Sequence, residues 1–267
     1  MTRSPLHVLV LVTFLGALAS ALMVLTRVRE MSASPATEVA VVERWTTDRP
    51  VRRALTPKPR PPRVDDRFLI AHVRPGTTVA LRASPSGPVV RRVGAWTEFG
   101  SRRALSVVRT ANGRWLGVTS PELGNGTLGW IDARQGAVRY SRTPIRLEID
   151  LSRRQLTVHE GRNVARRMTV GIGRSGSPTP TGRFAITDKL PGADYGPYYG
   201  RYILALSGRQ PNLPAGWTGG DRLAIHGTPN PAGIGNPVSA GCLHASTEDL
   251  SLLMATAPVG TPVLIHA

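Results

Sequence analysis

The sequence predicts a mainly β protein preceded by an N-terminal membrane-spanning helix. From about Phe68 the chain breaks into short apolar runs separated by turn residues. From Ile145 onward, Ile145, Leu147, Ile149 and Leu151 alternate with polar neighbours, as a half-buried strand requires. Beyond the N-terminus one segment carries helix punctuation, and no repeating βα pattern is present, which argues against an open parallel sheet.

Residues 1–30 form the first unit. Leu6 to Leu25 contains no Asp, Glu, Lys or Arg. At helical rise such a run spans roughly 30 Å, the hydrocarbon thickness of a bilayer. Arg3 precedes it, and Arg27 and Arg29 follow it, so flanking charge does not settle its orientation. Ala17-Leu18-Ala19 and Ala19-Ser20-Ala21 resemble signal-peptidase sites, which makes a cleaved signal peptide the rival reading. A retained anchor is favoured because the apolar run continues past both sites. Either reading exports the remainder to the cell envelope, outside the cytoplasmic membrane. Residues 31–66 have linker composition, and Thr56-Pro57-Lys58-Pro59-Arg60-Pro61-Pro62-Arg63 should be extended and stiff.

The 267 residues carry a formal net charge of +17, supplied almost wholly by Arg, since Lys occurs only at Lys58 and Lys189. A basic exported protein suits an anionic lipid or wall polymer. Arg-, Ala-, Gly- and Pro-rich usage from genome composition explains the charge equally well. Nucleic acid is disfavoured as a partner, because no recognition helix, zinc finger or aromatic-rich binding strand accompanies the charge.

Residues 67–140 offer Val79-Ala80-Leu81, Val89-Val90, Leu105 to Val108, Trp115 to Val118 and Leu128 to Ile131 as strands. Ser84-Pro85-Ser86-Gly87, Ala111-Asn112-Gly113 and Gly124-Asn125-Gly126 punctuate them. Such a series suggests a small β-barrel or sandwich. Its order loosely resembles bacterial SH3-like modules. Wall binding and simple packing against the neighbouring domain are equal readings of such a module.

Residues 141–267 continue with strands at Ile145–Leu151, Leu156–Val158, Val164–Val170, Phe184–Ile186, Tyr202–Leu206 and Leu223–Ile225. Ser246-Thr247-Glu248-Asp249 opens a helix with a capping box, Leu250, Leu253 and Met254 share a face, and Pro258 and Gly260 end it. Thr261 to Ile265 closes the chain as a strand. Lys189 to Gly220 reads as a long Gly/Pro-rich connection that holds Tyr195, Tyr198, Tyr199 and Tyr202, four of the five tyrosines. Loops of this kind serve as lids or binding walls, with self-packing the plainer reading.

Gly171-Ile172-Gly173-Arg174-Ser175-Gly176 matches a dinucleotide fingerprint literally. The prolines of Ser177-Pro178-Thr179-Pro180 oppose the helix that a pyrophosphate would need next, so the cofactor reading is rejected. Cys242, in Ser239-Ala240-Gly241-Cys242, is the single cysteine and can form no internal disulfide. A lone thiol with a His upstream reads as a nucleophile, and a neighbouring imidazole would lower its pKa and take its proton. His226 ends the apolar strand Leu223-Ala224-Ile225, and the Gly227 carbonyl is placed to orient its ring. Amides near Gly241 and Cys242 are candidate oxyanion donors. The plainer readings are a small buried Cys and a structural His. Cys242, His226 and His244 lack a close-spaced metal-ligand pair, and no G-x-S-x-G elbow is present, so neither a metal site nor a serine hydrolase is expected.

His226-Gly227-Thr228, followed by Ser239-x-Gly241-Cys242-Leu243, resembles the signature of L,D-transpeptidases, the YkuD-type catalytic domain. Thr169-Val170-Gly171-Ile172-Gly173 and Thr179-Pro180-Thr181-Gly182-Arg183-Phe184 resemble that family's upstream strand-loop-strand. The resemblance covers about residues 143–266. It implies a β-rich catalytic domain with few helices and no cofactor or metal. It implies that Cys242 attacks the carbonyl of an L,D bond in a peptidoglycan stem peptide, that His226 is base and then acid, and that Gly227 supports His226. A thioester acyl-enzyme is resolved by an amine of a second stem, or by water in an L,D-carboxypeptidase. Ser239, Gly241, His244 and Tyr198 are the candidate substrate-binding residues.

Two departures stand out. The family's usual His is Ala240 here, and its usual Arg is His244, which holds a charge only when protonated and would then favour activity at mildly acid pH. Arg174, Arg183, Arg201 and Arg222 are alternative sources of that charge. The different-class rival is a catalytically silent wall-binding protein.

Overall fold

The structure is a computed structural model that describes residues 66–267. The apolar segment expected over 1–30, and all but the end of the linker expected over 31–66, lie outside the described residues. Among the described residues no helix is long and apolar enough to cross a membrane.

Seven strands come first: β1 (Phe68–Val73), β2 (Thr78–Arg82), β3 (Val89–Gly94), β4 (Ala104–Ala111), β5 (Trp115–Val118), β6 (Gly129–Asp132) and β7 (Val138–Thr143). They form one antiparallel sheet in the order β3-β2-β6-β5-β4-β1-β7. The five apolar runs read from the sequence fall on β2 to β6. β7 escapes a sequence reading because only its end residues, Val138 and Thr143, are buried, so it lacks the alternation of a half-buried strand. It also carries this sheet past residue 140. Val79, Leu81, Val93, Leu105, Val118 and Ile131 build the core of the sheet.

The second part contains β8 (Ile145–Asp150), β9 (Gln155–Glu160), β10 (Asn163–Thr169), β11 (Ile172–Gly173), β12 (Gly182–Pro191), β13 (Tyr202–Arg209), β14 (Arg222–His226), β15 (Pro237–Ser239), β16 (Leu243–His244), α1 (Thr247–Thr256) and β17 (Pro262–His266). Eight of these strands form a mixed sheet, β10-β9-β8-β17-β12-β13-β14-β16, while β11 and β15 pair separately in parallel. Parallel pairing occurs in the large sheet at β8–β17 and β14–β16. In β8, Ile145, Leu147 and Ile149 are buried and their neighbours only partly so, matching the alternation in the sequence. Ser246 caps α1 by accepting from the Asp249 amide at 3.1 Å, and Leu250 and Leu253 are fully buried against the sheet.

No helix follows the Gly171–Gly176 run, which leads from β11 into a loop before β12, in agreement with the sequence reading. Two features depart from it. The expected long connection is two separate loops, 192–201 and 210–221, because β12 and β13 pair as far as Pro191 and Tyr202. The short strands β11, β15 and β16 carry no sequence signal, since two or three residues show no periodicity.

Candidate active site

The β14–β16 pair sets the geometry. His226 ends β14 and lies in register with His244, while Ile225 pairs with Leu243. Side chains alternate across a sheet, so Cys242, His244, Ala224 and His226 share one face. Leu223, Ile225, Leu243 and Ala245 point the other way, into the main core. Polar chemistry therefore collects on one side of an edge whose other side is hydrophobic. The cleft on that face is lined by Cys242, His226, Ala240, Tyr198, Trp217 and Gln210, among others.

His226 is 0% exposed. Its Nδ1 donates to the Gly227 carbonyl at 2.6 Å, the contact expected from the sequence. A carbonyl can only accept, so this bond places the proton on Nδ1 and leaves Nε2 as a bare acceptor. Nε2 is buried and has no hydrogen-bond partner. Burial, and secondarily His244, push the His226 pKa down to about 3, against a smaller upward pull from the Gly227 carbonyl.

The thiol is partly buried, and its environment differs from the sequence expectation. Burial pushes the Cys242 pKa up to about 11, opposed by a hydrogen bond from the Ala224 amide. Its S–H donates weakly to the Arg222 carbonyl at 3.8 Å. The resting pair is thus neutral thiol and neutral imidazole, rather than thiolate and imidazolium. Continuing the β14–β16 register by two residues sets Ala224, not His226, beside Cys242. His226 is offset from it along the strand by about 6–7 Å of rise. In that resting state the sulfur would be a nucleophile only with a general base to remove its proton.

Aromatic rings cover the imidazole. Tyr199 lies 5.0 Å and Tyr198 5.7 Å from the His226 ring, and Trp217 packs on Tyr198 at 5.7 Å. Tyr198, a candidate from the sequence, is exposed on this wall.

Gly227 lies against a second glycine, a contact that sequence reading misses. The backbone at Gly200, with φ of 64°, crosses it so closely that a Cβ on Gly200 would lie 2.7 Å from Gly227 Cα. Gly200→Ala should therefore displace the peptide that orients His226 and cost about 2 kcal/mol or more of stability. Thermal unfolding together with the acylation rate of Cys242 tests this, and a variant with both at parental values would refute it.

Ser239 and Gly241 are turn-builders in this structure. Ser239 is 1% exposed; its hydroxyl donates to the Cys242 carbonyl at 2.5 Å and accepts from the Gly241 amide at 3.0 Å. That amide is consequently engaged, which removes it from the candidate oxyanion donors. Gln210, absent from the sequence candidates, braces the same turn. Its buried amide donates to the carbonyls of Ser177, Pro178 and Ala240 at 3.3, 2.9 and 3.2 Å. Only the folded chain brings two distant segments, 177–178 and 240, to one amide, so no local pattern announces it.

His244 is 5% exposed, and neither of its ring nitrogens has a hydrogen-bond partner. Burial lowers its pKa, so it stays neutral, and the expected gain in activity at mildly acid pH loses its basis. The four alternative cations are placed differently. Arg222 pairs with Glu98 and donates to Thr187 and the Leu206 carbonyl. Arg201 stacks 5.2 Å from the Tyr202 ring centroid, and Arg183 lines grooves shared with the N-terminal sheet. Arg174 is exposed, and its charge acts on the Tyr198 phenol. Among the described residues, no group of three His, Cys, Asp or Glu is placed to hold a metal ion.

Known proteins are similar to the second part of the chain. Residues 144–265 match the model of the L,D-transpeptidase catalytic domain, YkuD. The matched region takes in the large sheet, the cleft and α1. The proteins named YkuD in Bacillus licheniformis and Bacillus subtilis, assigned to the L,D-transpeptidases, are 32% identical over 122 residues and 30% identical over 125 residues. Each match takes in 46% of this chain and 66% of the relative. Among solved structures, an L,D-transpeptidase from Mycobacterium smegmatis is similar at 19% identity and a TM-score of 0.41, over 75% of this chain and 99% of that chain.

Proposed function

We propose that the region matching the YkuD model is a cysteine acyltransferase acting on peptidoglycan stem peptides in the cell envelope. The observation that supports it best is His226, with Nδ1 pinned by the Gly227 carbonyl and Nε2 left unpaired on the face it shares with Cys242. The Cys242 sulfur attacks the carbonyl of an L,D bond while its proton passes to His226 Nε2. The imidazolium then protonates the departing amine of the D-amino acid, leaving a thioester. An amine of a second stem attacks that thioester, His226 takes up its proton, and the thiol leaves reprotonated. Arg174 supplies the positive charge for anionic substrate that His244 does not, and Tyr198 and Trp217 form the wall that the stem lies against. The SH3-like reading of the N-terminal sheet and export through residues 1–30 belong to the same proposal.

Incubation of the full chain with a carbapenem tests the nucleophile. A covalent mass increase on Cys242, abolished by Cys242→Ala, is the expected result. No adduct at any pH between 5 and 9 would favour a silent wall-binding protein. Disaccharide-tetrapeptide substrates test the acceptor: a cross-linked dimer supports transfer to an amine, and tripeptide monomer alone assigns a carboxypeptidase.

A further inference from the structure

The loop 210–221 walls the cleft through Gln210, Leu213, Trp217 and Gly219. The N-terminal sheet holds it at both ends. Where the loop begins, the Arg209 amide donates to Asn125 Oδ1 at 2.9 Å, and Asn125 Nδ2 donates back to the Arg209 carbonyl at 2.7 Å. Arg209 Nε also donates to the Pro121 carbonyl at 2.8 Å, and the same guanidinium pairs with Asp221 at the far end of the loop. Where the loop ends, Arg222 pairs with Glu98 and its guanidinium lies 5.3 Å from the Phe99 ring centroid. Thr97, beside them, donates to the fully buried carboxylate of Asp188 on β12.

We propose that the N-terminal sheet is a positioning element of the cleft, with Asn125 and Glu98–Phe99 clamping the two ends of loop 210–221. A loop of about 12 residues with free ends samples many conformations, and fixing both ends removes much of that freedom before substrate arrives. The second clamp also reaches the nucleophile, because the Arg222 carbonyl is the acceptor of the Cys242 thiol. Phe99 continues inward through Tyr195 at 6.0 Å and Tyr199 at 6.4 Å to the ring of His226 at 5.0 Å. Phe99 and Cys242 pack against the same small cluster of Leu190, Ile203 and Ala224. The effect on catalysis rests on the acyltransferase reading, whereas the clamp itself does not.

Hydrogen–deuterium exchange of the full chain tests the clamp, with carbapenem acylation of Cys242 as the second readout. In Asn125→Ala and Phe99→Ala, amides of 210–221 should exchange about tenfold faster while those of β12 and β13 hold their protection. Acylation should slow by about tenfold, and Phe99→Tyr should restore most of it. Should the truncations unfold the chain, Glu98→Gln, at a more exposed partner, carries the same measurement. Unchanged exchange across 210–221 in the folded variants overturns the proposal, whatever the activity. A loop that responds in a chain whose Cys242 is never acylated removes the enzymatic reading and leaves the clamp standing.

Discussion

Replacing His226 with alanine should slow acylation of Cys242 about 10³-fold at pH 7. The large effect follows from the resting charge state. With the thiol near 11 and the imidazole near 3, almost no thiolate exists at neutral pH, and the only route to a nucleophile passes through Nε2. The same values set the pH profile. The reactive form, neutral thiol with neutral imidazole, is populated across the whole interval between them, so the acylation rate should be flat from pH 5 to 9. An exposed Cys–His pair would instead bend near the ordinary values of about 6.5 and 8.5. A tenfold rise per pH unit over that range would mean that free thiolate attacks and that His226 is not the base. Stability should behave differently from rate. Below about pH 6.5 the unfolded chain protonates an imidazole that the folded chain keeps neutral down to about 3. Stability contributed by the buried His226 is therefore present at neutral pH and lost as pH falls through that window. His244 shifts in the same direction and adds to the loss. Acylation measured in a single turnover, alongside chemical denaturation at each pH, separates the two.

Gly241→Ala is the second large effect, and it should damage the nucleophile's loop without touching any reacting atom. Gly241 has φ of 121°, a backbone conformation strained for any L side chain. A Cβ there would also overlap the Gln210 side-chain amide. That amide cannot swing away cheaply, since it satisfies three carbonyls from two other segments. Strain together with lost buried hydrogen bonds should cost about 3 kcal/mol, with a matching fall in the denaturation midpoint. Gln210→Ala should lose part of the same stability, and the double variant should lose less than the sum, because both act on one contact. Full additivity in that cycle would show that the two residues are not coupled as the structure places them.

Much of the half that matches the YkuD model is legible in the amino-acid sequence. The alternation in β8, the capping box of α1, the apolar strand ending at His226, and the glycine beside it are local patterns, and each reflects a local cause: strand period, orphan amides at a helix start, or a bare carbonyl. The candidates Cys242, His226 and Tyr198 line one cleft, with Gly227 bonded to the His226 ring. The sequence reading of Ser239, Gly241 and His244 goes less far. Whether a hydroxyl, an amide or an imidazole faces substrate or turns inward depends on neighbours distant in the chain.

By itself, then, the sequence determined the strand-rich class, the helix at Ser246, the candidate thiol and imidazole, and the motifs that point to one family. Tertiary structure alone decided the protonation of that pair, the bracing of the cysteine turn by Gln210, and the hold of the N-terminal sheet on the loop 210–221. The physical reason is range. Period, capping and turn preference act over a few residues, whereas desolvation and interlocking hydrogen bonds depend on groups that only the folded chain brings together.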